Sequence, residues 1–313
     1  MKKTITPFKA DLILVIVAFL WGSSYVVTKN AISTIGPMYI VFYRFSIASV
    51  LCLIFYWKHL KNISKDEIKA GVLIGTLLVV GIIFSLNGVM YTTVSKNSFI
   101  VSINVVLVPF VYWAICKIKP TVMSISAVFL MALGLAFLTL DFSGSFEINK
   151  GDVLSLGCVL FYAYHIVLSD VYAKKYDPVS INTVAMITAA VIGFIGLIIK
   201  GDINFNIPSQ YIMNIIYLAV LPTFVCYTLQ IVAQKYTVAT HAAIIISLES
   251  VIATTLAIVF LKEILTLNMI IGCVIIFISV LTSEIGDIVL AGFKQKYFLK
   301  HEEINNLQTD FEE

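Results

Sequence analysis

The chain consists largely of apolar runs about as long as a bilayer is thick. Roughly 20 apolar residues cross a membrane as a helix, and such runs lie near residues 11–29, 37–57, 67–90, 97–116, 122–140, 151–173, 178–199, 208–234, 238–261 and 267–286. Only 12% of the residues are charged, against roughly 25% in an average soluble domain. The expected fold is therefore an all-α integral membrane protein with ten transmembrane helices. No soluble domain is expected, because the longest loop, around 141–150, is too short to fold alone.

The runs form two sets of five that echo each other. At an offset of 141 residues, Asp11, Trp21, Ser24, Tyr25, Thr28 and Pro37 fall on Asp152, Tyr162, His165, Ile166, Ser169 and Pro178. At an offset of 145, Tyr91, Ser102, Asn104, Lys117 and Thr121 fall on Tyr236, Ser247, Glu249, Lys262 and Thr266. A duplicated unit with an odd number of spans enters the bilayer upside down in its second copy, the construction of many secondary transporters. The expected organisation is two inverted five-helix repeats, residues 1–141 and 142–290, then an acidic tail, 291–313. Lysines such as Lys58, Lys61, Lys117, Lys119, Lys174, Lys175 and Lys294 gather on one side, leaving Lys29, Lys96, Lys150, Lys200 and Lys262 on the other. Basic residues accumulate inside, so both termini are expected to be cytoplasmic. The first run is too long for a cleavable signal, carries Trp21 and Lys29, and lacks a small-x-small site; it stays as a helix.

Enzyme chemistry is not expected. The sequence has no G-x-S-x-G, H-E-x-x-H, P-loop or G-x-G-x-x-G. His59, His165, His241 and His301 are scattered without metal-ligand spacing. Cys52, Cys116, Cys158, Cys226 and Cys273 fall within spans and read as packing residues. Neither metal nor cofactor is expected.

Function should then lie with the polar residues that cost energy in a membrane, about 2.5–3.5 kcal/mol for a central charge. Glu249 lies near the middle of the ninth span and its echo Asn104 at similar depth in the fourth; His165 and its echo Ser24 are central in the sixth and first. Trp21, Ser24, Tyr25 and Thr28 share one helical face, and Tyr162, His165, Ile166 and Ser169 repeat it. Such a face suits a cavity lining, while helix-to-helix hydrogen bonding would also explain it. Glu249 reads as an ammonium contact or proton carrier, or as a structural partner of His165 or a backbone group; His165 is the second proton-carrying candidate or a satisfied interior histidine. Arg44, the single arginine, either grips a carboxylate or snorkels and braces the bundle. Asn87 and Tyr91 in the third span, and Tyr227, Gln230 and Gln234 in the eighth, are further cavity candidates. Asp170 pairs with Lys174 one turn on, Glu263 with Lys262 as an exposed pair, and Gly71-x-x-x-Gly75 packs inside the bundle or serves a dimer.

Trp21-Gly22-Ser23-Ser24-Tyr25 with Lys29 and Pro37, Tyr43-Arg44-Phe45, Tyr91-Thr92-Thr93 through Asn104-Val105-Val106-Leu107-Val108-Pro109, Gly151-Asp152, Leu248-Glu249-Ser250-Val251 and Glu263 with Leu265-Thr266 occur in this order. In this the chain resembles the EamA branch of the drug/metabolite transporter superfamily over nearly its whole length. The resemblance implies two inverted repeats, cytoplasmic termini, and export or exchange of small metabolites such as amino acids across a bacterial inner membrane. One position departs: Ser250 stands where the family usually has Pro, so the helix break expected there is not encoded.

The expected function is secondary active transport of a small metabolite, an amino acid foremost, by alternating access. The expected substrate contacts are Trp21, Ser24, Tyr25, Arg44, Asn87, Asn104, Tyr162, His165, Tyr227, Gln230 and Glu249. The partners are the substrate and the lipid bilayer, with no nucleic acid, for a monomer or homodimer. The rivals are a multidrug cation exporter, a phosphorylated-substrate carrier short of cavity cations, and a non-transporting receptor or scaffold.

Overall fold

The computed structural model describes residues 6–117, 119–139, 149–201, 207–236 and 239–282. The junction between the expected repeats and the tail 291–313 lie outside them. All regular structure among the described residues is helical. In chain order the helices are α1 (Pro7–Ile35), α2 (Pro37–Leu60), α3 (Lys65–Tyr91), α4 (Val94–Cys116), α5 (Val122–Thr139), α6 (Lys150–Lys175), α7 (Pro178–Lys200), α8 (Ser209–Gln234), α9 (239–261) and α10 (Leu267–Thr282). Seven of them, α1 to α4 and α6 to α8, are long and apolar enough to cross a membrane, and the stretches Val122–Phe137, Ile245–Leu261 and Leu267–Thr282 are shorter apolar helices. Large apolar side chains such as Phe8, Phe129 and Ile199 stand outward, 77%, 74% and 80% exposed, as expected where lipid replaces water as the solvent.

Local chemistry sets the helix ends. Pro37 and Pro178 open α2 and α7, where a missing N–H costs nothing. Gly36 joins α1 to α2 at φ 84°, a conformation that only glycine adopts easily. Capping boxes, Ser64 with Glu67 and Asn149 with Asp152, start α3 and α6. Helices α4 and α9 each end on a left-handed lysine, Lys117 at φ 61° and Lys262 at φ 58°. Each is followed by a threonine whose hydroxyl accepts the N–H three residues on: Thr121 from Ser124 (3.1 Å) and Thr266 from Met269 (3.2 Å).

Helix α1 packs on α9, α2 on α7, α3 on both α6 and α7, and α6 on α4. Small residues allow the close crossings. Gly71 and Gly75 face Val184 and Ala185 of α7, so this pair is used within the bundle. Phe45, Ile74, Leu78, Ile181 and Met186 fill the α2–α3–α7 core. Cys52, Cys158, Cys226 and Cys273 are buried, whereas Cys116 is exposed at the end of α4 rather than packed.

Two charges close one end of the bundle. The Lys29 ammonium donates to the Val89 and Thr92 carbonyls (2.6 and 2.7 Å), satisfying the last turn of α3. Glu263 accepts from the Val94 N–H (2.7 Å), the Ser95 N–H (3.1 Å) and the Ser95 hydroxyl (2.6 Å), capping α4. This corrects the expected Lys262 pair: free N–H groups at a helix start hold a carboxylate more firmly than a solvated ammonium does. Leaving those groups unpaired costs about 1–3 kcal/mol, so Glu263→Ala is expected to lower the unfolding temperature in detergent, with Glu263→Gln between the two. An unchanged melting curve for the alanine variant would remove this role.

At the opposite end His59 meets Asp177 (2.9 Å), and the Ser180 hydroxyl donates to the His59 carbonyl. Asp170 pairs with Lys174 as expected (2.7 Å) and also accepts the Tyr112 hydroxyl (2.5 Å).

Candidate substrate site

Between these ends lies a cavity of about 90 Å³. At roughly 10–15 Å³ per water it has room for several waters or one compact solute. Helix α1 contributes Trp21, Ser24, Tyr25 and Thr28, the whole face expected of it. From α6 come Tyr162, His165 and Ile166, while Ser169 is buried away from the cavity. Arg44 arrives from α2, Asn104 from α4, Tyr227 and Gln230 from α8, and Glu249 with Ile246 from α9.

Asn87 is not in the lining. Its amide closes on its own helix, donating to the Ile83 carbonyl at 2.7 Å. Tyr91 lies out at the α3 end with the Lys150 ammonium 4.7 Å from its ring centre, and Gln234 is buried beyond the cavity. The face that α3 does present is Leu78, Ile82, Ser85, Leu86 and Val89. Apart from Ser85 it is an apolar stripe, which the sequence cannot distinguish from a stripe packed in the core.

Two interruptions shape the walls. Helix α4 tightens at Ile103, whose N–H bonds to Ile100 and whose carbonyl accepts from Val106, three residues apart in each case. The Asn104 amide covers the Val101 carbonyl there (2.6 Å) and leaves its Oδ1 without a partner among the described residues. Helix α8 opens into a π turn, Val220–Val225, around Pro222; single π turns of this kind recur at functional sites. The Pro222 carbonyl accepts the Trp21 indole N–H (2.9 Å), and Thr223 accepts from Arg44 Nε. By contrast α9 runs unbroken past Glu249, and the Ser250 hydroxyl donates to the Ser247 carbonyl (2.9 Å), as expected without proline.

The charged groups are sparsely partnered. Arg44 is 6% exposed, and its bond to Thr223 is its one hydrogen bond among the described residues. Glu249 is 8% exposed, and none of the ion pairs among the described residues includes it or Arg44. His165 contacts the Ile74 carbonyl through Nδ1 (3.3 Å), leaving Nε2 without a partner among the described residues. A hydrogen bond from His165 to Glu249, one of the structural readings of that carboxylate, is not formed. The Trp21 and Tyr227 rings lie 5.2 Å apart, and His165 meets Tyr227 edge-on at 6.1 Å. Trp21, Tyr25, Tyr162 and Tyr227 thus share one cavity with the Arg44 guanidinium and the Glu249 carboxyl, neither of which enters an ion pair among the described residues.

The model of the EamA-like transporter family matches this chain twice, over residues 8–140 and 149–283. The chain belongs to the EamA-like transporter family. An Archaeoglobus fulgidus protein named as an uncharacterized transporter is 32% identical over 272 residues, covering 87% of this chain and 84% of its own length. A second from the same organism, under the same name, is 24% identical over 267 residues, covering 82% and 90%. One crystal structure overlays with a TM-score of 0.66 at 14% identity, across 88% of this chain and 96% of that one, a likeness of fold. This EamA-like chain is thus a multi-pass membrane transporter.

Proposed function

We propose that the protein is a secondary active transporter of small organic metabolites, amino acids foremost, exporting or exchanging them by alternating access. One observation carries this reading: Arg44 and Glu249, both buried, face the same small cavity without forming an ion pair. A zwitterion supplies what each lacks, a carboxylate for the guanidinium fork and an ammonium for the carboxylate. Trp21, Tyr25, Tyr162 and Tyr227 line the same cavity, where ring faces favour a cation. Ser24 spends its own proton on the Trp21 carbonyl (2.7 Å) and serves as an acceptor. Asn104, Gln230 and His165 add polar contacts. Glu249, with His165 second, is the proton-coupling group.

Two inverted five-helix repeats of ten spans make up the transporter in this reading. The two family matches support it, as do the paired left-handed lysines and paired threonine caps, each 145 residues apart. The packing is consistent with it: α1 lies on α9, and their counterparts α6 and α4 lie on each other. Ends that alternating spans put on one side of the membrane meet: Lys29 with the α3–α4 connection and His59 with Asp177. We place both termini in the cytoplasm and the protein in the plasma membrane.

Arg44 counts against a lipophilic-cation exporter, since it would repel the cargo, and the cavity volume counts against a nucleotide-sized solute. The test is counterflow of labelled amino acids into proteoliposomes. Uptake that requires unlabelled substrate inside supports the assignment; no uptake of any amino acid by folded protein overturns it.

A further inference from the structure

We infer that Thr223, in the π turn of α8, is the positioning residue that aims Arg44 into the cavity and so gives the site its preference for solutes bearing a carboxylate. Its selectivity arm rests on the amino-acid reading above. Proline has no N–H, so Pro222 leaves the Leu218 carbonyl without its helical partner. The Thr223 hydroxyl takes that place, donating to Leu218 O at 2.6 Å. A hydroxyl has one proton and two lone pairs. With the proton committed to Leu218, the oxygen serves only as an acceptor, and it accepts from Arg44 Nε. Nε lies in the guanidinium plane, so fixing it sets the orientation of the whole fork. The two terminal nitrogens remain, and they match a carboxylate end-on.

Thr223 is 0% exposed and does not line the cavity, so its effect on a solute passes through Arg44. The turn also holds Trp21 through the Pro222 carbonyl. A single proline thus frees the carbonyl that orients a hydroxyl, and the hydroxyl orients the only arginine in the chain.

That single arginine makes the test specific. Full-length protein labelled with 15N-arginine in detergent micelles gives one Nε–H resonance, and its exchange with water reports the Thr223 bond before any solute is added. Thr223→Val is expected to speed that exchange at least tenfold, and Thr223→Ser to restore slow exchange. Unchanged exchange in Thr223→Val overturns the positioning role. The second arm titrates L-leucine against isopentylamine, which has the same skeleton without the carboxylate. Thr223→Val is expected to weaken leucine at least tenfold and isopentylamine less than twofold, with Thr223→Ser close to the unmodified protein. An equal loss for both solutes, or none for leucine, overturns the selectivity role. If no amino acid perturbs the unmodified protein, the amino-acid reading fails and the selectivity role falls with it, while the exchange arm still decides whether Thr223 holds Arg44.

Discussion

Replacing Glu249 with alanine is expected to cut amino-acid counterflow about 30-fold or more, since truncating one partner of a buried charge pair costs about 2–5 kcal/mol. The carboxylate is 8% exposed and forms no ion pair among the described residues. On the proposed assignment, the solute's ammonium supplies the partner that the carboxylate lacks. Glu249→Gln separates two duties. The amide keeps the shape and an acceptor but carries no titrating proton, so exchange between internal and external solute should survive in part while proton-driven uptake is lost. Normal transport by Glu249→Gln in both modes would end the proton-coupling assignment. Normal counterflow by Glu249→Ala would end its role as a contact.

Gly75→Ala is expected to be the most damaging single-methyl addition. A Cβ there would lie 2.5 Å from the Ala185 carbonyl oxygen and 2.7 Å from the Ala185 Cα. Both are backbone atoms and cannot rotate aside, so α3 and α7 must separate. Overpacking of this kind costs about 1–3 kcal/mol and occasionally more. Because the cavity face of α3 includes Leu78 and Ile82, transport should fall together with the melting temperature. Gly81 offers the contrast: its added methyl meets the Tyr162 ring at 2.5 Å, a side chain at the cavity wall rather than backbone. Gly81→Ala should therefore disturb the cavity more than the stability. A wild-type melting temperature for Gly75→Ala would show that the α3–α7 crossing is looser than its geometry.

The legible parts of the site were those where polarity stands out against an apolar helix. Trp21, Ser24, Tyr25, Arg44, Tyr162, His165 and Glu249 are conspicuous for that reason, and all of them line the cavity. The α3 wall was not legible, because leucines and isoleucines facing a solute resemble those facing a core. Asn87 was misleading for the same reason in reverse. It is polar, but at 100° per residue it stands roughly 200° from Ser85, and its amide is satisfied within the helix. Glu263 was misread because the groups it caps lie 168 and 169 residues away, beyond any local pattern. Pro222 is plain in the sequence. That its break would be closed by Thr223 depends on where α2 brings Arg44, a matter of tertiary geometry.

With Glu249 ionised, a cavity that holds one guanidinium and one carboxylate has no net charge when empty, and a zwitterion adds none when bound. Moving one elementary charge across the membrane is worth about 2.3 kcal/mol per 100 mV. On the proposed assignment, neither the loaded nor the empty form moves net charge with its site, so exchange should proceed at the same rate whatever the membrane voltage. Protonation of Glu249 breaks that balance. The form that then reorients carries one positive charge, and the cell's electrical gradient acts on that step alone.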